Sequence, residues 1–169
     1  MRVVAIAAAI AMCTTAPRAF AQTLLDSVPD QHVWLSGALG VGTIGVAADL
    51  GLWYTRRDLA LAVQGSADEQ LFGEQRDVWA LLVGLSGDWG HDRLLGAIGP
   101  ATLHSSVCGD DTGCRQGARH LALAFAGEAF VHARVIGIGI DTFGALAPRR
   151  KSHIAVGLSV QLGWLGAPP

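Results

Sequence analysis

The chain has 169 residues, of which 51% are apolar and only 15% are charged, and its formal net charge is −2. Ordinary soluble domains carry about 25% charged residues, so this composition leaves few charges to cover a water-facing surface. The mild negative charge also argues against a nucleic-acid partner, which would require a basic surface.

Residues 1–21 have the pattern of a cleavable secretory signal peptide. Arg2 supplies the positive charge at the start, and an apolar run over 3–12 is too short to span a bilayer as a helix. The triplet Ala19-Phe20-Ala21 provides a small-x-small cleavage site. We therefore expect an exported chain that begins at Gln22, with residues 22–31 as a short periplasmic segment.

Strand-like alternation begins after this segment and predicts eight strands in chain order. Their approximate ranges are 32–41, 43–55, 59–67, 77–89, 93–104, 119–132, 135–146 and 152–164. The fifth is the weakest, because Leu94 and Leu95 are adjacent and Pro100 cannot donate a ladder hydrogen bond. We expect a bulge or an irregular edge there.

The last strand, residues 152–164, shows the alternation most clearly. Large apolar residues occupy the even positions from Ile154 to Trp164, while the odd positions are small or polar. Successive side chains of a strand point to opposite faces, so one face is wholly apolar. The other face carries no charge except a possible histidinium at His153. A lipid-facing wall explains this pattern better than a water-facing one.

The connections alternate between short turns and longer polar segments, which we place at 67–76, 105–117 and 147–151. This layout is typical of outer-membrane barrels, and an even strand count puts both chain ends on the periplasmic side. The sequence therefore predicts an all-β fold: an eight-stranded antiparallel up-and-down transmembrane β-barrel over residues 32–164, followed by a tail at 165–169.

Two other folds were weighed against the barrel. Residues 33–53 carry one charge and would pass as a membrane helix, but they hold five glycines and leave the later strands unexplained. A soluble lipocalin-like barrel would place bulky apolar residues inside and polar residues outside, the reverse of the pattern here.

With its signal peptide, alternating strands, Gly-rich walls and closing segment IAVGLSVQLGW, the chain resembles small bacterial outer-membrane β-barrel proteins. The resemblance implies a Gram-negative outer membrane, with outer-membrane lipids, lipopolysaccharide and the barrel-insertion machinery as partners. It also implies a structural or surface-interaction role rather than an enzyme. Such proteins usually end on an aromatic residue, whereas here Trp164 is followed by Leu-Gly-Ala-Pro-Pro.

Eight strands enclose an interior that side chains can fill. The inward positions include a set of polar residues that we expect to form a lumen network: Asp49, Gln64, His120, Glu128, His132, Asp141, His153 and Gln161. Buried charges must be paired or neutralised, so we expect the acids to pair with the histidines, or with Arg119 or Arg134 reaching in. Small inward residues leave a second possibility, a lumen pocket for an acyl chain or another small apolar ligand.

One motif points towards catalysis. His104-Ser105-Ser106 resembles the His-x-Ser of lipid A deacylases, but the next residue is Val107 where that motif has Asn. No carboxylate is assignable beside it from the sequence, so a polar strand end is the preferred interpretation. The six histidines are scattered rather than at ligand spacing, and we predict no catalytic residue, metal site or cofactor.

Two further features lie in the longer connections. Cys108 and Cys114 have no zinc-like spacing, and in an exported chain they predict a local disulfide that pins a loop. Arg149, Arg150 and Lys151 form a basic turn that is either simply solvated or in contact with anionic lipopolysaccharide groups.

Overall fold

The computed structural model describes residues 31–69, 73–89, 91–109, 113–148 and 152–165. Eight strands close into one antiparallel barrel in which each strand pairs with the next and β1 pairs with β8. The strands are β1 (Gln31–Gly42), β2 (Val46–Arg56), β3 (Leu59–Glu69), β4 (Glu74–Trp89), β5 (Asp92–Gly109), β6 (Gly113–His132), β7 (Ile136–Leu146) and β8 (His153–Trp164). The predicted fold class is confirmed.

The alternation on each strand sorts its side chains between a lumen and an outer wall. On β8, Leu158 is 75% exposed, whereas its neighbour Ser159 is 1% exposed. The outer wall is covered by Leu, Val and Ile side chains, so the lipocalin-like arrangement is wrong. The residues 33–53 proposed for a helix form β1, a turn and β2 instead.

Within the described ranges, no helix is long and apolar enough to cross a membrane.

The strands extend further than the apolar alternation indicates. Most of the predicted loop 105–117 is β-structure, because β5 runs to Gly109 and β6 begins at Gly113. The predicted loop 67–76 is likewise shorter in the structure, because β3 runs to Glu69 and β4 begins at Glu74. These added segments are rich in Ser, Gly and charged residues, which cross-strand hydrogen bonds can hold in a ladder although hydropathy does not mark them.

The expected bulge near Pro100 is absent from the described pairing. The register of β5 on β4 is the same on both sides of it, from Ala80↔Ala101 to Val83↔Ile98, and Pro100 also faces Leu123 of β6 in register. The loss of one donor is therefore absorbed without a shift. The irregularity lies between His104 and Ser106, where the pairing with β6 shifts by one residue.

We call the end of the barrel that holds Gln31 and Leu165 the terminal end, and the opposite one the loop end. Leu165 lies in the predicted tail but is fully buried, and its N–H donates to the carbonyl of Arg134 at 3.2 Å. Residues 1–30, which include the predicted signal peptide, lie outside the described residues, as do Arg149, Arg150, Lys151 and 166–169.

Candidate functional site

The lumen is closed near the terminal end by stacked aromatic rings. Trp34 lies parallel to Trp53, with 6.2 Å between ring centroids, and Phe130 meets Trp34 edge-on at 5.8 Å. The Arg93 guanidinium sits 5.2 Å from the centroid of the Trp34 ring and donates to Asp88 Oδ2 at 2.8 Å. Four large side chains thus fill the cross-section of a barrel whose interior is only a few side chains wide.

Above these rings lies a pair of buried carboxyl groups. Glu128 and Asp141 are direct cross-strand partners on β6 and β7, and both are 1% exposed. Buried carboxyl groups need hydrogen-bond donors around them. Trp34 Nε1 donates to Glu128 Oε2 at 3.3 Å, and Gln64 Nε2 donates to Asp141 Oδ2 at 3.3 Å. The pair is therefore held by neutral donors from the opposite wall.

A third set of contacts spans the lumen near the loop end. His153 of β8 shares a hydrogen bond of 2.7 Å between its Nε2 and Ser66 Oγ, and its Nδ1 lies 3.6 Å from Asp68 Oδ2. Asp68 Oδ2 also accepts from the backbone N–H of Ile44 in the first turn, at 3.0 Å. Arg76 donates to the carbonyl of Ser152 at 2.9 Å. These bonds tie β3 and β4 to β8 and to the first turn.

The contacts from Ser66 to His153 and from His153 to Asp68 have the connectivity of a Ser-His-Asp catalytic triad, in which the serine is the nucleophile. All three side chains are buried. A nucleophile must reach a substrate carbonyl, and a serine enclosed in the packed lumen has no such approach. This set is therefore a cross-lumen brace.

The structure places the predicted lumen residues as follows. Buried inside are Asp49, Gln64, Glu128, His132, Asp141, His153 and Gln161, whereas His120 is half-buried. Among the ion pairs described inside the lumen, the expected pairing of an acid with a histidine is found for His153, whose acid is Asp68 rather than a predicted one. Glu128 and Asp141 instead accept hydrogen bonds from Trp34 and Gln64.

Sequence reasoning missed the two buried arginines. Arg119 and Arg134, expected to reach inward, are exposed, while Arg76 and Arg93 are 3% and 2% exposed. The sequence could have identified Arg93 as inward-facing, because it shares the parity of Leu95 and Ala97 on β5. Arg76 was assigned to a loop because the first four residues of β4, Glu74 to Asp77, are all polar.

His104 and its two serines lie at the irregular part of β5. His104 Nδ1 is 3.9 Å from Asp77 Oδ2 on β4, so the structure supplies the carboxylate that the sequence did not reveal. Ser106 is only 9% exposed, and no hydrogen bond joins it to His104 among the described contacts. The arrangement lacks the serine–histidine contact of an active nucleophile.

Cys108 and Cys114 face each other in register on β5 and β6. Their side chains lie outside the described ones, so the disulfide stays a prediction. Among the described residues, no group of three or more His, Cys, Asp or Glu is arranged to hold a metal ion.

The fold is similar to three solved outer-membrane barrels. The N-terminal β-barrel domain of Pseudomonas aeruginosa OprF is 12% identical, with a TM-score of 0.63, over 80% of this chain and 98% of that one. Neisserial surface protein A is 8% identical, with a TM-score of 0.65, over 80% of this chain and 97% of that one. Ail, the attachment invasion locus protein of Yersinia pestis, is 9% identical, with a TM-score of 0.56, over 81% of this chain and 99% of that one. The sequence matches no family model and no curated protein.

Proposed function

We propose that this chain is an integral outer-membrane β-barrel of a Gram-negative bacterium, with a structural or surface-interaction role rather than a transport or catalytic one. The observation that carries the proposal is the closed lumen. Three successive sets of contacts, from the Trp34 rings through the Glu128–Asp141 pair to the His153 brace, cross it from wall to wall. Within the part of the chain that the structure describes, side chains fill the interior, and we expect such an interior not to conduct solutes.

The outer wall supports the membrane location. Ring closure satisfies the strand hydrogen bonds internally, as hydrocarbon requires, and the exposed side chains of the wall are aliphatic. In this orientation the terminal end faces the periplasm and the loop end faces outward. Outer-membrane lipids and lipopolysaccharide then contact the wall and its outer rim, and the barrel-insertion machinery is the partner during assembly.

Reconstitution in planar bilayers tests the closed lumen. The wild-type protein should give no stable conductance steps, whereas a general porin prepared in the same way gives them. Trp34→Ala removes the ring against which Trp53, Phe130 and Arg93 pack, so this variant should leak more ions. Porin-like steps from the wild-type protein would contradict the proposal.

The two alternative functions have less support. A lumen ligand would need free interior volume, but the lumen is occupied by the bonded side chains described above, and the grooves of about 540 and 150 Å³ are lined mainly by residues of the outer wall. An acyl hydrolase would need a reactive serine. A fluorophosphonate probe should therefore leave Ser66 and Ser106 unlabelled, and labelling of either one would overturn the non-enzymatic assignment.

A further inference from the structure

A groove of about 150 Å³ interrupts the aliphatic wall near the loop end of β2, β3 and β4. Its floor consists of small outward residues, Ala48, Gly65 and Ala67, whereas outward positions nearer the middle of the same strands carry large side chains such as Leu52, Leu61 and Leu81. Leu50 and Trp79 also line it, and the Trp79 ring lies so close to Gly65 that a Cβ there would be 2.9 Å from it. The outward part of the groove is thus lined by small apolar side chains, Leu50 and the Trp79 ring, with Asp77 at its edge.

A row of polar and charged side chains crosses the wall at the upper end of this groove. Asp77, which also lines the groove, faces His104 in register, and His104 faces Arg119. The row spans two strand spacings, or about 10 Å. Arg119 is exposed and lies two residues beyond Leu121, which is 80% exposed and belongs to the aliphatic belt. The charge therefore stands where the hydrocarbon of a bilayer would end.

Arg119 forms no ion pair with any described carboxylate, although a guanidinium is well suited to bind a phosphate. Asp77 is 46% exposed in its side chain and can accept hydrogen bonds from sugar hydroxyl groups. A ligand that carries a phosphate, hydroxyl groups about 10 Å away and a hydrocarbon chain below them matches the charges and hydrogen-bonding groups of the whole row.

We propose that this surface binds a phosphorylated glycolipid of the outer leaflet. Its phosphate contacts Arg119 and His104, its sugar hydroxyls contact Asp77, and one acyl chain lies in the groove beside Trp79. The site rests on the proposed membrane function and gives its surface-interaction role a specific ligand class.

The test uses the full-length barrel in phosphatidylcholine nanodiscs that contain either diphosphoryl lipid A or lipid A without phosphates. Lipid retained after detergent extraction is counted by native mass spectrometry. Arg119→Gln should weaken retention of the diphosphoryl form about fivefold, the usual effect of one arginine at an anionic lipid surface. Ala67→Leu fills the groove and should weaken both forms. Arg56→Gln, an exposed arginine at the terminal end, is the matched control and should change neither.

Three results would overturn the proposal: no preference of the wild-type protein for the phosphorylated form, equal losses in Arg119→Gln and Arg56→Gln, or complete displacement by phosphatidylglycerol. The last result would indicate general attraction to anionic lipid. Heat-modifiability is measured on the same samples. A variant that loses lipid but keeps its mobility shift bears on the site alone, whereas loss of the shift bears on the barrel.

Discussion

The outward position of Leu158 gives the sharpest energetic prediction. Leu158 lies near the middle of β8 and is 75% exposed on the aliphatic wall. Replacing it with Arg places a charge near the bilayer midplane, which should destabilise the folded barrel by about 2–4 kcal/mol. Ile154 also faces outward, and it lies four residues, or about 13 Å of strand, nearer the loop end. There Arg should cost at most about 1 kcal/mol.

The assay is reversible urea unfolding in lipid vesicles, followed by tryptophan fluorescence, with both variants compared in bilayers of two thicknesses. The cost of Leu158→Arg should fall in the thinner bilayer, because the charge then lies closer to water. Ser159→Arg is the inward control: its cost comes from lumen packing and should not change with thickness. A soluble barrel would accept Arg at Leu158 within about 0.5 kcal/mol, and that result would refute the facing assignment.

Three other predictions concern the interior and the strand contacts. Asp141→Ala leaves Gln64 Nε2 without its acceptor and should cost about 1–3 kcal/mol in urea unfolding, while Asp141→Asn keeps an acceptor oxygen and should cost less; equal costs would refute the cross-lumen hydrogen bond. Cys108→Ser should lower the free energy of unfolding by about 2 kcal/mol, because the unfolded chain is no longer constrained by the closed loop. Thiol titration of the unfolded wild-type protein should find Cys108 and Cys114 both blocked, and two free thiols would refute the disulfide. Gly40→Ala places a Cβ 1.9 Å from the carbonyl oxygen of Val156, so it should lower the free energy of unfolding by about 1–3 kcal/mol and reduce the yield of folding at low temperature. In Gly96→Ala the added Cβ meets nothing within 4 Å. Similar unfolding curves for the two glycine variants would contradict the close strand approach.

The sequence carried enough information for the strand order and the facing of each wall. On β8 and β3 the alternation of large and small residues allows only one assignment of the outward face, because a slip of one residue would turn every aliphatic side chain inward. The length of β5 and β6 could not be predicted in this way. On β6 the residues between Gly113 and His120 include no Leu, Val or Ile, so backbone pairing continues there without an apolar pattern.

The lumen contacts were predictable as a set of residues but not as pairs. Parity alone identified Glu128 and Asp141 as inward, yet their contact depends on the β6–β7 register, which places the two residues opposite each other. The link from Ser66 to His153 depends on closure of the ring, since β3 and β8 are separated by two strands. Cross-lumen distances of this kind are set by the barrel as a whole.

Heat-modifiability combined with cell fractionation tests the central claim most directly. The protein should be found in the outer-membrane fraction, and unboiled samples should migrate differently from boiled ones on a denaturing gel, because a closed ladder of strands resists detergent until it is heated. A soluble periplasmic protein with no mobility shift would contradict the account.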